Sequence, residues 1–306
     1  MKIVISLFIL LIMVLFVGCS RIEEQLNDES HSLFIITLNG KMGFIDKTGN
    51  TIIQPRFDYA RPFSEGLASV ALGNKVGYIN EKGEFIIVPQ FQYGSEFVEG
   101  LACVETADKF GYINKQGQII IKPQYDNAGN FSEGLASVSI DNKWGYIDTM
   151  GKIVIPPQFD VWPSTFHEGL AYINIGGKRI DYKVEGGKWG YINTNGNVVI
   201  KPQFDNANSF AGGLAWVRSK NKWGCIDKTG KEVIKFEFND IETDFSEGLA
   251  VVNINGRWGA IDKTGTIIIK CSFNRISLFS EGLAPVQIEQ GGKYGYIDKK
   301  GKIVIK

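Results

Sequence analysis

The chain reads as an all-β array of tandem repeats of about 34 residues, each a three- to four-stranded antiparallel meander. Three observations predict this. A phrase whose clearest copy is Lys143-Trp144-Gly145-Tyr146-Ile147-Asp148, closed by Gly151, returns eight times, with its central glycine at Gly43, Gly77, Gly111, Gly145, Gly190, Gly224, Gly259 and Gly295. A second phrase, Phe-x-Glu-Gly-Leu-Ala, falls between the copies seven times, as in Phe131–Ala136. The steps between the central glycines are 34, 34, 34, 45, 34, 35 and 36 residues, so one repeat carries an insertion, roughly Gly176 to Gly187. A fixed period of this size is the mark of a repeat architecture.

The first 19 residues differ from the rest. Lys2 gives a positive start, and Ile3 to Val17 is almost wholly apolar. About 15 residues of helix span only ~22 Å, against ~30 Å of hydrocarbon. That length suits the core of a signal peptide. The run Phe16-Val17-Gly18-Cys19 resembles the lipobox of bacterial lipoproteins, with Phe16 in place of the usual Leu. The resemblance implies cleavage before Cys19, diacylation of its thiol and stable anchoring by two acyl chains. Residues 20–32 then read as a polar tether, and residues 33–306 as one repeat domain of eight meanders.

Within one repeat, Leu135 to Ile140 alternates and is rich in β-branched residues, as a strand requires. Asp141-Asn142 is a hairpin turn, and Asn255-Gly256 is its stronger form in a later copy. Lys143 to Asp148 is the second strand, and its interior glycine marks close approach of another chain. Asp148 can accept backbone N–H bonds in the next turn while Gly151 supplies the positive φ. Lys152 to Ile155 is the third strand, and Pro156-Pro157 is expected to end it. The link onward, with aromatics at Phe159 and Phe166, can form a short fourth strand. One meander cannot bury its own apolar faces. Stacked neighbours can, either as a propeller-like set of radial blades or as an open solenoid or superhelix. The propeller-like form is the reading adopted.

The Lys-Trp-Gly phrase, the Ile-Asp-x-x-Gly turn, the Ile-Pro-Pro-Gln-Phe-Asp segment (Ile155–Asp160) and the Phe-x-Glu-Gly-Leu-Ala phrase together resemble the bacterial WG (KWG) repeat, over Phe34 to Lys306. Met42, Val76, Phe110 and Tyr294 replace the Trp in four copies. The resemblance implies a binding or interaction repeat and names no ligand.

Lys+Arg and Asp+Glu are each 33, so no basic excess exists to hold a phosphate backbone, and nucleic acid is excluded as a partner. Cys103, Cys225 and Cys271 sit at unrelated repeat positions and read as small buried residues, not as a disulfide framework. There are two histidines, no Walker-type loop and no His/Cys pair at metal spacing, so neither a cofactor nor a metal is expected. Glu65, Glu99, Glu133, Glu168, Glu247 and Glu281 recur at one site, with Gly212 breaking the series. A catalytic carboxylate pair needs two unlike environments, so six equivalent copies read as caps on the glycine that follows. The Lys before each Trp reads as a solvated charge, able to lie over a neighbouring ring.

Recognition is expected where the repeat is broken, since long loops on a rigid scaffold carry function. The candidate ligand-binding residues are Trp162, His167, Arg179, Asp181, Tyr182 and Trp216. The expected function is a non-catalytic, envelope-tethered protein that binds a protein or polysaccharide partner. The alternatives are an extracytoplasmic carboxylate-dependent hydrolase and a structural spacer.

Overall fold

The computed structural model describes residues 33–181, 183–242 and 244–305. They fall into two compact units, residues 33–90 and residues 91–305. Every regular element among them is a strand, and the strands form eight antiparallel sheets, six four-stranded and two three-stranded. In the fourth sheet the order is Asn127–Ala128, Leu135–Ile140, Lys143–Asp148, Ile153–Phe159. The link thus supplies the short fourth strand.

Local chemistry sets the turns. Asp141 and Asn142 have φ of 51° and 60°, the mirror-image hairpin turn that matches strand twist. Asp148 Oδ1 accepts the N–H groups of Met150 and Lys152 at 3.0 and 2.9 Å, and Gly151 sits at φ +81°. The Asp or Asn at positions 46, 80, 114, 193, 227, 262 and 298 makes the same pair of bonds, two and four residues on.

The third strand departs from the sequence expectation. It does not stop at Pro156-Pro157 but runs on to Phe159. Its register explains why. Tyr146 pairs with Ile155 and Trp144 with Phe159, so two extra residues pass over Gly145. A Cβ on Gly145 would lie 2.4 Å from the Ile155 carbonyl oxygen and 2.7 Å from the Pro157 nitrogen. The ladder is interrupted there, and proline on this outer strand forfeits no hydrogen bond. The same backbone crossing meets Gly43, Gly77, Gly111, Gly190, Gly224 and Gly259.

In the third, fourth and fifth sheets two aromatic residues clip the sheet to the link that follows it. Tyr146 is fully buried, packs on Phe166 with ring centroids 4.9 Å apart, and donates its hydroxyl to the Ser164 carbonyl. Tyr112 and Phe131, and Tyr191 and Phe210, repeat the packing, and both hydroxyls again donate to link carbonyls. The apolar core is correspondingly serial. One cluster joins Tyr112 and Ile121 of the third sheet to Ala136, Val138 and Ile147 of the fourth. The next joins Tyr146 and Ile155 to Ala171, Ile173 and Ile192 of the fifth. Within this second unit these sheets are buried by their neighbours in sequence, as stacked repeats require.

The recurrent glutamates do cap glycines, but in the next repeat rather than their own. Glu99 accepts the Gly134 N–H at 2.9 Å, Glu133 that of Gly169 at 2.8 Å, and Glu247 that of Gly282 at 3.0 Å. Glu168 accepts from both Gly212 and Gly213. Lys228 and Lys299 then pair with Glu168 and Glu247. Gly212, which lacks the carboxylate, has the Lys263 ammonium 2.8 Å from where its Cβ would be. In four copies the Lys that heads the central strand forms an ion pair 17 residues on, whereas Lys75, Lys222 and Arg257 have Gln92, Asn239 and Asn274 at that distance. Lys41 meets Asp58, Lys109 meets Asp126 and Lys188 meets Asp205, each at 2.5 Å, and Lys143 pairs with Asp160. These pairs are exposed and stabilise little individually.

Gly145→Ala should lower stability by about 1–3 kcal/mol or more, because the new methyl meets backbone that cannot rotate away. Gly134→Ala, whose Cβ would meet nothing within 4 Å, carries only the strain of its φ of +78°. Chemical denaturation of both variants checks the ordering, and equal losses would refute the crossing.

Acid should unfold the array in a defined window. Glu168 and Glu247 are held below the ordinary glutamate value, chiefly by hydrogen bonds from Lys228 and Lys299. Asp46 is lowered to about 2, first by the Thr48 hydroxyl. Each folded-state pKa lies below its unfolded value, so this stabilisation is present above the unfolded pKa and lost as pH falls through the folded one. Melting temperature should hold from neutrality down to about pH 4.5 and decline from there towards pH 2. A Glu168→Gln, Glu247→Gln double variant should decline less steeply over that range.

Candidate functional site

The insertion lengthens one hairpin, as its place in the repeat implies. It extends the hairpin of the fifth sheet, whose strands run Leu170–Ile180 and Lys183–Asn193. Ile175 pairs with Lys188 and Gly177 with Gly186, so Gly176 and Gly187 face each other between them, where the ladder is interrupted with no shift of register. Their φ values are 83° and 69°. Asn174 is buried there and accepts the Gly177 N–H at 2.9 Å. The lengthened hairpin reaches out beside the fourth sheet.

A cleft of about 830 Å³ lies between this hairpin and the fourth sheet. The hairpin contributes Gly176, Gly177, Lys178, Arg179 and Asp181. The sheet contributes Trp144, Ser139, Asn142 and Asn127, with Asp126 and Asp160 at the rim. A second cavity of about 390 Å³ adjoins it, lined by Trp162, Pro163, Ala128 and Ser137. Trp144, Asn127 and Arg179 line both, so the two are continuous. The Arg179 guanidinium lies 5.1 Å from the Trp162 ring centroid, and its Nε donates to the Asp181 carbonyl at 2.8 Å.

The carboxylates at the rim are tied into pairs. Asp126 accepts from Lys109 and from the Asp141 N–H, and Lys109 first of all holds its carboxyl below the usual range. Asp160 is paired with Lys143. No group of three or more His, Cys, Asp or Glu side chains able to hold a metal occurs among the described residues. The cleft therefore offers two indole rings, short polar side chains and nearly balanced charge.

Of the residues expected from sequence, Trp162, Arg179 and Asp181 come together in the cleft. Tyr182 and the lipobox Cys19 lie outside the described residues. His167 sits on the exposed turn before Leu170, with Thr165 Oγ1 3.0 Å from its Nε2, and does not line the cleft. Trp216 is a correction. It is only 1% exposed and stacks on Phe245 with centroids 5.9 Å apart. It lies opposite Cys225, in the pairing where the fourth sheet has Ser137 opposite Tyr146. A large residue on one strand compensates for a small one on the other, so Trp216 serves packing rather than contact with a ligand. Trp144, Asn127 and Asn142 were not foreseen, because they follow the repeat pattern. The available signal was their position at the same end of the neighbouring sheet as the lengthened hairpin.

A family profile described as the WG containing repeat matches residues 42–75, 77–110, 110–144, 144–178, 189–223, 223–258, 258–294 and 294–306. This chain belongs to the WG repeat family. The stretch between the fourth and fifth matches, residues 179–188, is the outer part of the long hairpin, so the cleft is built where this WG repeat chain departs from its family. No curated protein matches the chain in sequence. Among solved structures it is similar to a eukaryotic initiation factor, with a TM-score of 0.59 at 13% identity, covering 90% of this chain and 84% of that one. It is also similar to Hsv2 of Kluyveromyces marxianus, with a TM-score of 0.47 at 11% identity, covering 78% and 93%. The dihydro-heme d1 dehydrogenase NirN gives a TM-score of 0.46 at 11% identity, covering 89% and 72%. At such identity the likeness concerns the fold alone, which is propeller-like.

Trp216→Ser should cost about 3 kcal/mol or more through the void it leaves. Cys225→Tyr alone should overpack the same space. The double variant recreates the Ser137–Tyr146 arrangement and should recover at least ~1 kcal/mol of coupling. Additive losses in a double-mutant cycle would refute the compensation.

Proposed function

We propose that this WG repeat chain is a non-catalytic binding protein, exported and lipid-anchored to the bacterial envelope through Cys19, that holds a glycan or protein partner in the cleft beneath its long hairpin. The observation that carries the reading is a coincidence of irregularities. The one lengthened repeat, the Trp162-Pro163 departure in the preceding link and the 830 Å³ cleft fall at a single place. In a periodic array each consensus side chain recurs along the chain, whereas a specific site needs residues that occur once.

The hydrolase alternative has less behind it. A general acid must hold its proton near neutral pH, which calls for a raised carboxyl pKa. Asp126 is shifted the other way, and the recurrent glutamates are occupied with backbone N–H groups. The anchoring rests on the sequence of residues 1–19. No helix among the described residues is long and apolar enough to cross a membrane.

The test replaces residues 176–187 with Asp-Asn. The resulting Ile175-Asp-Asn-Lys188 copies Ile140-Asp141-Asn142-Lys143, so the short hairpin should close and the melting temperature should move by only a few degrees. The detergent-solubilised full-length chain and this variant are each used to capture partners from envelope extract. A partner retained by the first and lost by the second is the expected result. Retention by both would place binding elsewhere, and retention by neither would count against the reading.

A further inference from the structure

The cleft's chemistry carries the reading further. We infer that its ligand is an oligosaccharide, a short run of pyranose units with little or no net charge, held against Trp144 and Trp162. This inference rests on the proposed function, because it names the ligand of that same site.

The rings come first. Trp144 and Trp162 are both half-buried, so each keeps apolar surface open to the cleft. A large aromatic left part-open beside polar groups is costly unless something covers it, since each buried Å² of apolar surface contributes roughly 25 cal/mol. The face of an indole is electron-rich. The axial C–H bonds of a pyranose carry partial positive charge from their oxygens, and they form a flat apolar patch of similar size. The two surfaces fit by shape and by sign.

The polar groups come second. Asn127, Asn142, Ser137 and Ser139 bring amides and hydroxyls that both donate and accept, as neighbouring sugar hydroxyls do. Charge is the third element. Asp126 and Asp160 are neutralised by Lys109 and Lys143, which leaves Lys178 and Arg179 facing Asp181. A strongly charged polymer would find no matching field. Arg179 is already committed to the Trp162 ring and to the Asp181 carbonyl, so it shapes the wall rather than waiting for an anion.

Size agrees. The adjoining cavities of about 830 and 390 Å³ form a continuous space larger than the ~300–1,000 Å³ that houses a drug-sized molecule, and both open to solvent so that a chain can run through. A peptide would need apolar pockets for its side chains, and this cleft has rings set among amides instead.

The experiment titrates the detergent-solubilised full-length chain with cellohexaose, chitohexaose and an oligogalacturonate. Tryptophan fluorescence and calorimetry are the readouts. At least one neutral hexamer should bind saturably, and Trp162→Ala should weaken it at least tenfold with an unchanged melting temperature. Trp144 also packs in the sheet, so Trp144→Phe, which keeps a ring, is paired with Asn142→Ala at the solvent edge. Both should weaken binding more than threefold. Preference for the charged oligomer over both neutral ones would overturn the charge argument. Saccharide binding that survives replacement of residues 176–187 would overturn the site. If no saccharide binds while the hairpin-dependent capture above still yields a protein, the sugar assignment fails and the binding reading stands.

Discussion

In the first seven sheets the third strand lies so close to the central strand that the glycine beneath it has no room for a side chain. At Gly145 a Cβ would sit 2.4 Å from a backbone oxygen. Much else in the repeat follows from that contact. Because two extra residues cross over the glycine, Phe159 arrives opposite Trp144 and the chain leaves the sheet at Asp160. Asp160 can then meet Lys143, and the link that follows is placed to lay Phe166 on Tyr146. The prolines that sequence reasoning reads as strand breakers are accommodated because the crossing has no ladder bond to lose.

The repeats are joined by contacts that need both partners. A glutamate reaches forward to the next glycine turn, and a third-strand isoleucine packs under the next Asx turn, as Ile121 does under Gly151 and Ile155 under Gly196. The apolar clusters likewise span pairs of adjacent sheets. Stability is then approximately a sum over neighbours. Such an array tolerates local departures when they are compensated across the contact. Trp216 opposite Cys225 is one such compensation, and Gly212 facing Lys263 marks where the glutamate series is interrupted.

A periodic scaffold offers many copies of the same surface, which suits stacking and gives little selectivity. The long hairpin changes this at one place. By overhanging the fourth sheet it turns a repeated tryptophan, Trp144, into a wall of a cleft, beside the non-repeated Trp162 and Arg179. The same residue type elsewhere in the array has no such hairpin beside it.

The sequence by itself determined the period, the limits of the first two strands of each meander, the Asx turns with their positive-φ glycines, and the place of the insertion. These depend on contacts within a few residues, where side-chain alternation and backbone φ preferences act directly. Only the tertiary structure decided that the third strand passes through its prolines, that each glutamate serves the following repeat, that Trp216 is core and that Trp144 is part of the cleft. Those outcomes depend on which groups meet across some 34 residues or across a lengthened hairpin. No pattern of neighbouring residues encodes that distance, and it is set by how one sheet packs on the next.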